Sequence, residues 1–109
     1  MFLMRLNFVE PDPGGAATAD RYRAGLEMAR LVDRRGFQVV SLEEHHANAI
    51  GWSPTPLLNA GMILSSTENL LVTISALLLP LHDPIRVAED LAVLDLVSRG
   101  RISIVAGLG

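Results

Sequence analysis

Apolar positions along the chain follow two rhythms in turn. Leu3 to Val9 is a short apolar run in which Leu6 and Phe8 alternate with Arg5 and Asn7, and Pro11-Asp12-Pro13-Gly14-Gly15 closes it, so it reads as a strand followed by a loop. From Ala19 the spacing changes to that of one helix face, with Tyr22, Leu26, Ala29 and Val32 in register, Thr18 or Asp20 as cap and Gly36 placed to take the left-handed position after the helix. A second strand over Phe37–Leu42 is carried by Val39-Val40. Thr55-Pro56 pairs a cap with a proline at the first helical position, which predicts a helix through Ser66 after a loop over 47–54. Leu70–Leu79 is nearly continuously apolar, like a parallel strand buried on both faces, and is long enough to hold a bulge. Asp83-Pro84 repeats the cap-plus-proline device ahead of a helix to Ser98, Gly100 ends it, and Ile102–Ala106 is the fourth strand.

The order β-α-β-α-β-α-β, with strand starts roughly 30 to 35 residues apart, predicts a parallel sheet built from right-handed βαβ units. An open doubly wound sheet and part of a (β/α)₈ TIM barrel both have that order. The first would carry a glycine fingerprint after its first strand, and this chain has neither GxGxxG nor a P-loop lysine there, which favours the barrel. A barrel takes about 250 residues, so residues 1–109 are expected to be the N-terminal segment of a single longer domain, holding strands 1–4 and helices 1–3. An apolar fraction of 50% and a mean hydropathy of +0.34 suit a piece whose surfaces meet absent units.

Composition removes several classes of function. Twelve acids against nine bases give a net charge of −3, and the bases, all Arg, form no basic face, so a nucleic-acid partner is not expected. With no Cys there are no disulfides, thiolate metal sites or Cys nucleophile. The apolar start is interrupted at Arg5 and the longest apolar run is far short of a membrane span, which predicts a cytoplasmic location and no membrane partner.

Sites in such folds lie at the carboxyl ends of the strands. The second exit, Glu43-Glu44-His45-His46, is the richest; the first offers Asn7 and Glu10, the third Ser75 and His82, the fourth Gly107 and Gly109. Neighbours on an extended segment point to opposite sides, so only one of His45 and His46 can face a ligand, and the other is expected in the wall. Consecutive Glu-His-His lacks the i, i+4 spacing of a helical zinc site, so no metal is expected. Trp52 could lid a pocket or cover the sheet rim. His82-Asp83-Pro84 reads as a helix start with Asp83 as cap.

Three blocks resemble the bacterial luciferase-like flavin monooxygenase family: Glu44-His45-His46, the stretch Leu79-Pro80-Leu81-His82-Asp83-Pro84-Ile85-Arg86-Val87-Ala88-Glu89-Asp90, and Leu94-Asp95-Leu96-Val97-Ser98-Arg99-Gly100-Arg101. The resemblance covers essentially the whole chain. It implies a TIM barrel that binds FMN or a deazaflavin coenzyme and either inserts an oxygen atom of O₂ into a small-molecule substrate or transfers a hydride. It also implies a homo-oligomer when full length, supplied by a flavin reductase. On this resemblance His45 is the catalytic acid/base and Glu44 orients it, a non-proline cis peptide joins Ser75 to Ala76, and Ser75, Ala76 and Gly107 line the flavin. At the position where the luciferase has a phosphate-holding Arg this chain has Leu108, which leaves the deazaflavin open. The rivals are a non-catalytic binding module on the same fold and a metal-dependent barrel hydrolase.

Overall fold

The computed structural model describes residues 1–10, 12 and 14–109; Pro11 and Pro13 of the predicted first loop lie outside the described residues. Four strands, β1 (Leu3–Leu6), β2 (Val39–Leu42), β3 (Leu71–Leu78) and β4 (Ile102–Gly107), alternate with helices α1 (Thr18–Arg34), α2 (Pro56–Ser66) and α3 (Pro84–Ser98), and a single 3₁₀ turn covers Leu79–Leu81. The strands lie in sequence order β1-β2-β3-β4 and every neighbouring pair is parallel.

Cross-strand register sorts the side chains into rows. Met4, Val40, Val72 and Ile102 form one row and Leu6, Leu42, Ile74 and Ile104 the next. These rows meet Ala29 of α1, Ala60, Ile63 and Leu64 of α2 and Val87 of α3 in the one core. The opposite face carries Leu3, Val39 and Leu71 in one row and Arg5, Ser41, Thr73 and Ser103 in another. No buried residue lies in either of those rows, and Leu3 is half exposed. Consecutive strands with all their helices on one side form an arc of barrel wall; a doubly wound sheet would have helices on both faces. The expectation that β3 is buried on both faces is corrected in the same way: Val72 and Ile74 are buried, whereas Leu71 and Thr73 are only partly so.

Most boundaries agree with the hydrophobic pattern, and the differences have local causes. β1 stops at Leu6 instead of Val9 because Phe8 takes a positive φ of 59°. That turn lays the Phe8 ring on Tyr22, centroids 4.4 Å apart, and over Gly25 of α1, where an added Cβ would come within 2.5 Å of the ring. Neither predicted cap of α1 acts as one. The N-cap is Ala17, Thr18 Oγ1 accepts from Arg21, and Asp20 pairs with Arg23. Thr55 precedes Pro56 as expected, but its ψ of 66° leaves the extended geometry a capping hydroxyl needs, and the side chain bonds no helix N–H. Asp83 does cap α3, accepting from Ile85 and Arg86 at 2.9 and 3.1 Å. At the end of α1, Gly36 (φ 82°) and Phe37 donate back to Asp33 and Val32, a paired closure of the last turn.

The amino-terminal end of the sheet is tied by two charged groups. Arg101 uses all five of its N–H donors: Nε on Ser98 O, Nη1 on Thr67 Oγ1 and Leu70 O, and Nη2 on Leu64 O and Thr67 O, all at 2.8–3.2 Å. It thereby closes the carboxyl end of α2 and the turn into β3. Asp33 accepts the backbone N–H groups of Glu68, Asn69 and Leu70 at 2.9–3.0 Å. Partial burial pushes its carboxyl up, but these donors outweigh that and hold it below the usual carboxylate value.

Candidate active site

The alternation of β2 continues past its last ladder residue. Val39, Ser41, Glu43 and His45 therefore share the open face, while Val40, Leu42, Glu44 and His46 share the helix side. Each carboxylate consequently acquires the imidazole two residues further on. His45 Nε2 lies 3.2 Å from Glu43 Oε2, and His46 Nε2 lies 2.8 Å from Glu44 Oε1. The pairing expected between Glu44 and His45 is not formed, since adjacent side chains on an extended segment diverge.

Glu43 is nearly fully buried although it stands on the open face, and its other oxygen accepts from Arg5 Nε on β1. His45 is fixed on two further sides. Its ring stacks on Trp52 with centroids 4.1 Å apart and planes 19° from parallel, and its backbone N–H bonds Ser53 O. The 47–54 loop is pinned in turn to the first exit, Glu10 N donating to Ile50 O and Ser53 N to Asn7 O. Trp52 thus covers one face of the imidazole. Asn7 and Glu10 serve this anchoring, and Glu10 also pairs with Arg21 at 2.8 Å.

Glu44 is only 3% exposed and joins three elements. Oε2 accepts the Leu78 N–H at 2.7 Å, so the carboxylate extends the β2–β3 ladder beyond its last residue pair; Oε1 takes His46 and also His82, which stands just before α3, each at 2.8 Å. Burial raises its pKa, while Leu78 N–H, His46 and His82 together lower it further, so the carboxyl rests below its ordinary value. His46 is half exposed on this carboxylate rather than set in a wall. The link from His82 to Glu44, 38 residues apart, has no local signal in the sequence. Glu43 was within reach of sequence reasoning, since the period of two pairs it with His45.

At the third exit the peptide bond between Ser75 and Ala76 is cis, as the resemblance implies. A bulge lies here: Ser75 pairs with Val105 and Leu77 with Ala106, leaving Ala76 without a partner. The buried positions accordingly run Val72, Ile74, Leu77, and two consecutive residues, Ser75 and Ala76, are left out of the core. Gly107 on β4 packs against this bulge. A Cβ there would lie 2.7 Å from Ala76 Cβ, so its bareness makes room for Ala76. Leu108 is almost fully exposed. Among the described residues no group of three His, Asp or Glu side chains is arranged to hold a metal ion, and no helix is long and apolar enough to cross a membrane.

The exits fit a planar ring cofactor. Ser75 and Ala76 present nothing larger than a hydroxymethyl group beside the bare backbone of Gly107, and a held imidazole stands one strand away. Comparison with known proteins agrees with this architecture. The family described as Luciferase-like monooxygenase matches residues 1–109. The alkanal monooxygenase alpha chain of Photorhabdus laumondii is 36% identical over 76 residues, which is 70% of this chain and 21% of that one. The oxygenase component of the flavin-dependent trigonelline monooxygenase of Acinetobacter baylyi is 29% identical over 83 residues, 76% of this chain and 23% of that one. In fold, the oxygenating constituent of 3,6-diketocamphane monooxygenase from Pseudomonas putida, solved in complex with FMN, superposes with a TM-score of 0.87 at 23% identity over 99% of this chain and 29% of its own. The chain spans under a third of the length of these relatives. The rows of the sheet are those of the N-terminal part of a luciferase-like TIM barrel, and the match runs from the first residue to the last: the chain belongs to the luciferase-like monooxygenase family.

Proposed function

We propose that the complete protein to which these residues belong is the oxygenating component of a flavin-dependent monooxygenase, with reduced FMN delivered by a separate reductase and a small organic molecule as substrate. Bound reduced flavin would supply the electrons that activate O₂. Ser75, Ala76 and the Gly107 backbone would form the ledge for the ring, and His45 would move the proton that the oxygen transfer requires. Glu44 serves this chemistry indirectly, holding the β2 and β3 exits and the start of α3 in one arrangement. The observation that carries the reading is the placement of an imidazole, fixed by Glu43 and Trp52, beside the bulged exit of β3. The names of the relatives, a flavin-dependent oxygenase component and an FMN complex, support flavin over other cofactors.

A second reading, hydride transfer with a deazaflavin, is favoured by Leu108, which offers no cation where the resemblance places one for the FMN phosphate. Absorbance titration of the complete protein separates the two. Perturbation of the FMN spectrum at micromolar concentration, with O₂ uptake when reduced FMN is supplied, is the expected result. Binding of deazaflavin alone would replace the first reading by the second, and binding of neither would leave only the fold.

A further inference from the structure

We propose that Glu43, held by Arg5, selects the tautomer of His45 and so makes Nδ1 the nitrogen that gives and takes the proton. The inference rests on His45 being the acid/base of the proposed function. Arg5 donates through Nε to Glu43 Oε1, and a carboxylate paired with a guanidinium is an acceptor only. Its other oxygen, Oε2, faces His45 Nε2 at 3.2 Å. That nitrogen must then carry the hydrogen. A neutral imidazole carries one, so the lone pair is left on Nδ1.

The ring is not free to exchange its two nitrogens at small cost. Trp52 covers one face, and the backbone of His45 is bonded to Ser53 O. Glu44 cannot substitute for Glu43, because both of its oxygens are occupied on the helix side by Leu78 N, His46 and His82. Arg5 is thus more than a counter-charge. In Glu43→Gln it would hold the amide oxygen and turn the amide N–H₂ toward His45, where two donors would meet. The imidazole would then move its hydrogen to Nδ1, the wrong atom for the reaction. Removing the guanidinium in Arg5→Met frees that amide to rotate and offer its oxygen to Nε2–H, so the second substitution repairs the first.

The test uses the complete protein without cofactor and, separately, its turnover. Side-chain nitrogen-15 NMR in mildly alkaline buffer, with the His45 signals identified by their loss in His45→Gln, is expected to show Nε2–H in the parent, Nδ1–H in Glu43→Gln and Nε2–H again in Arg5→Met/Glu43→Gln. Turnover is expected to fall by roughly 10²–10³ in Glu43→Gln, within the range for misdirecting an acid/base, and to recover at least tenfold in the double variant. A merely structural Glu43 would give no rescue, since the double variant has lost one more bond. An Nδ1–H parent, an unchanged tautomer in Glu43→Gln, or a double variant no better than the single one overturns the proposal. A tautomer that switches as expected while turnover stays at the parent level overturns instead the acid/base role of His45, and with it the catalytic half of the proposal.

Discussion

The two ends of this sheet satisfy their charged groups in opposite ways. At the amino-terminal end Asp33 and Arg101 are satisfied almost wholly by the backbone: three N–H groups on one and four carbonyls plus a hydroxyl on the other. At the carboxyl end Glu43 and Glu44 are satisfied largely by side chains, one by a guanidinium and an imidazole, the other by two imidazoles and one N–H. Backbone groups neither titrate nor change rotamer, so the first end is a fixed clamp. An imidazole has two ring nitrogens that can give or take a proton and a side chain that can turn, so the second end is the adjustable one. On the function proposed above, stability belongs to one end and chemistry to the other, as in barrel enzymes generally.

The sharpest way to break this contrast is to remove one group from each end. His45→Ala in the complete protein is expected to reduce turnover by roughly 10²–10⁴ while flavin affinity and denaturation midpoint stay close to the parent. A large fall in the midpoint would place His45 with the clamp. Arg101→Met should do the reverse, costing about 2–4 kcal/mol by urea unfolding because Leu64, Thr67 and Leu70 carbonyls lose their donor. Turnover per folded molecule should be unchanged.

The smallest effect belongs to Asp33, and pH brings it out. Its folded carboxyl lies below its unfolded value, so the stabilisation is fully present above roughly pH 4 and is lost as pH falls through the lower folded value. Asp33→Asn should therefore cost about 1–2 kcal/mol near neutrality, and its difference from the parent should shrink in acid. A difference that stays constant down to pH 2 would show that the carboxylate charge is not what ties the turn. Glu44 shares the same direction of shift and contributes to the acid sensitivity that remains in the variant.

Much of this was legible in the chain because the responsible interactions are local. The Val39-Val40 pair of β2, the Asp83-Pro84 start of α3 and the Gly36 stop of α1 each act within a few residues, and each lies in the element the pattern gives it, although β2 begins at Val39 and not at Phe37. The strand exits were legible as a class, since βαβ order alone places Glu43 to His46 there. What the pattern did not reveal depends on pairing across the sheet. Arg5 meets Glu43, and His82 meets Glu44, only because the folded sheet brings residues 38 positions apart side by side at its carboxyl end. The Thr55 hydroxyl went astray for a subtler reason: residue type makes a cap available, but ψ decides whether it is used. The need for a bare Cα at Gly107 likewise shows only across the sheet, where a Cβ would meet that of Ala76.

The order of the strands also sets an order of events. Every pairing here joins a strand to the one synthesised just before it, with one helix between them. Each pairing closes a whole crossover of 30–36 positions (Leu3 to Val39, Val39 to Leu71, Val72 to Ile102), which forms more slowly than a hairpin but needs nothing made later in the chain. During synthesis each new strand finds its partner's edge already made, and each helix a sheet to dock against, so this arc of wall can grow in the direction in which the ribosome delivers it.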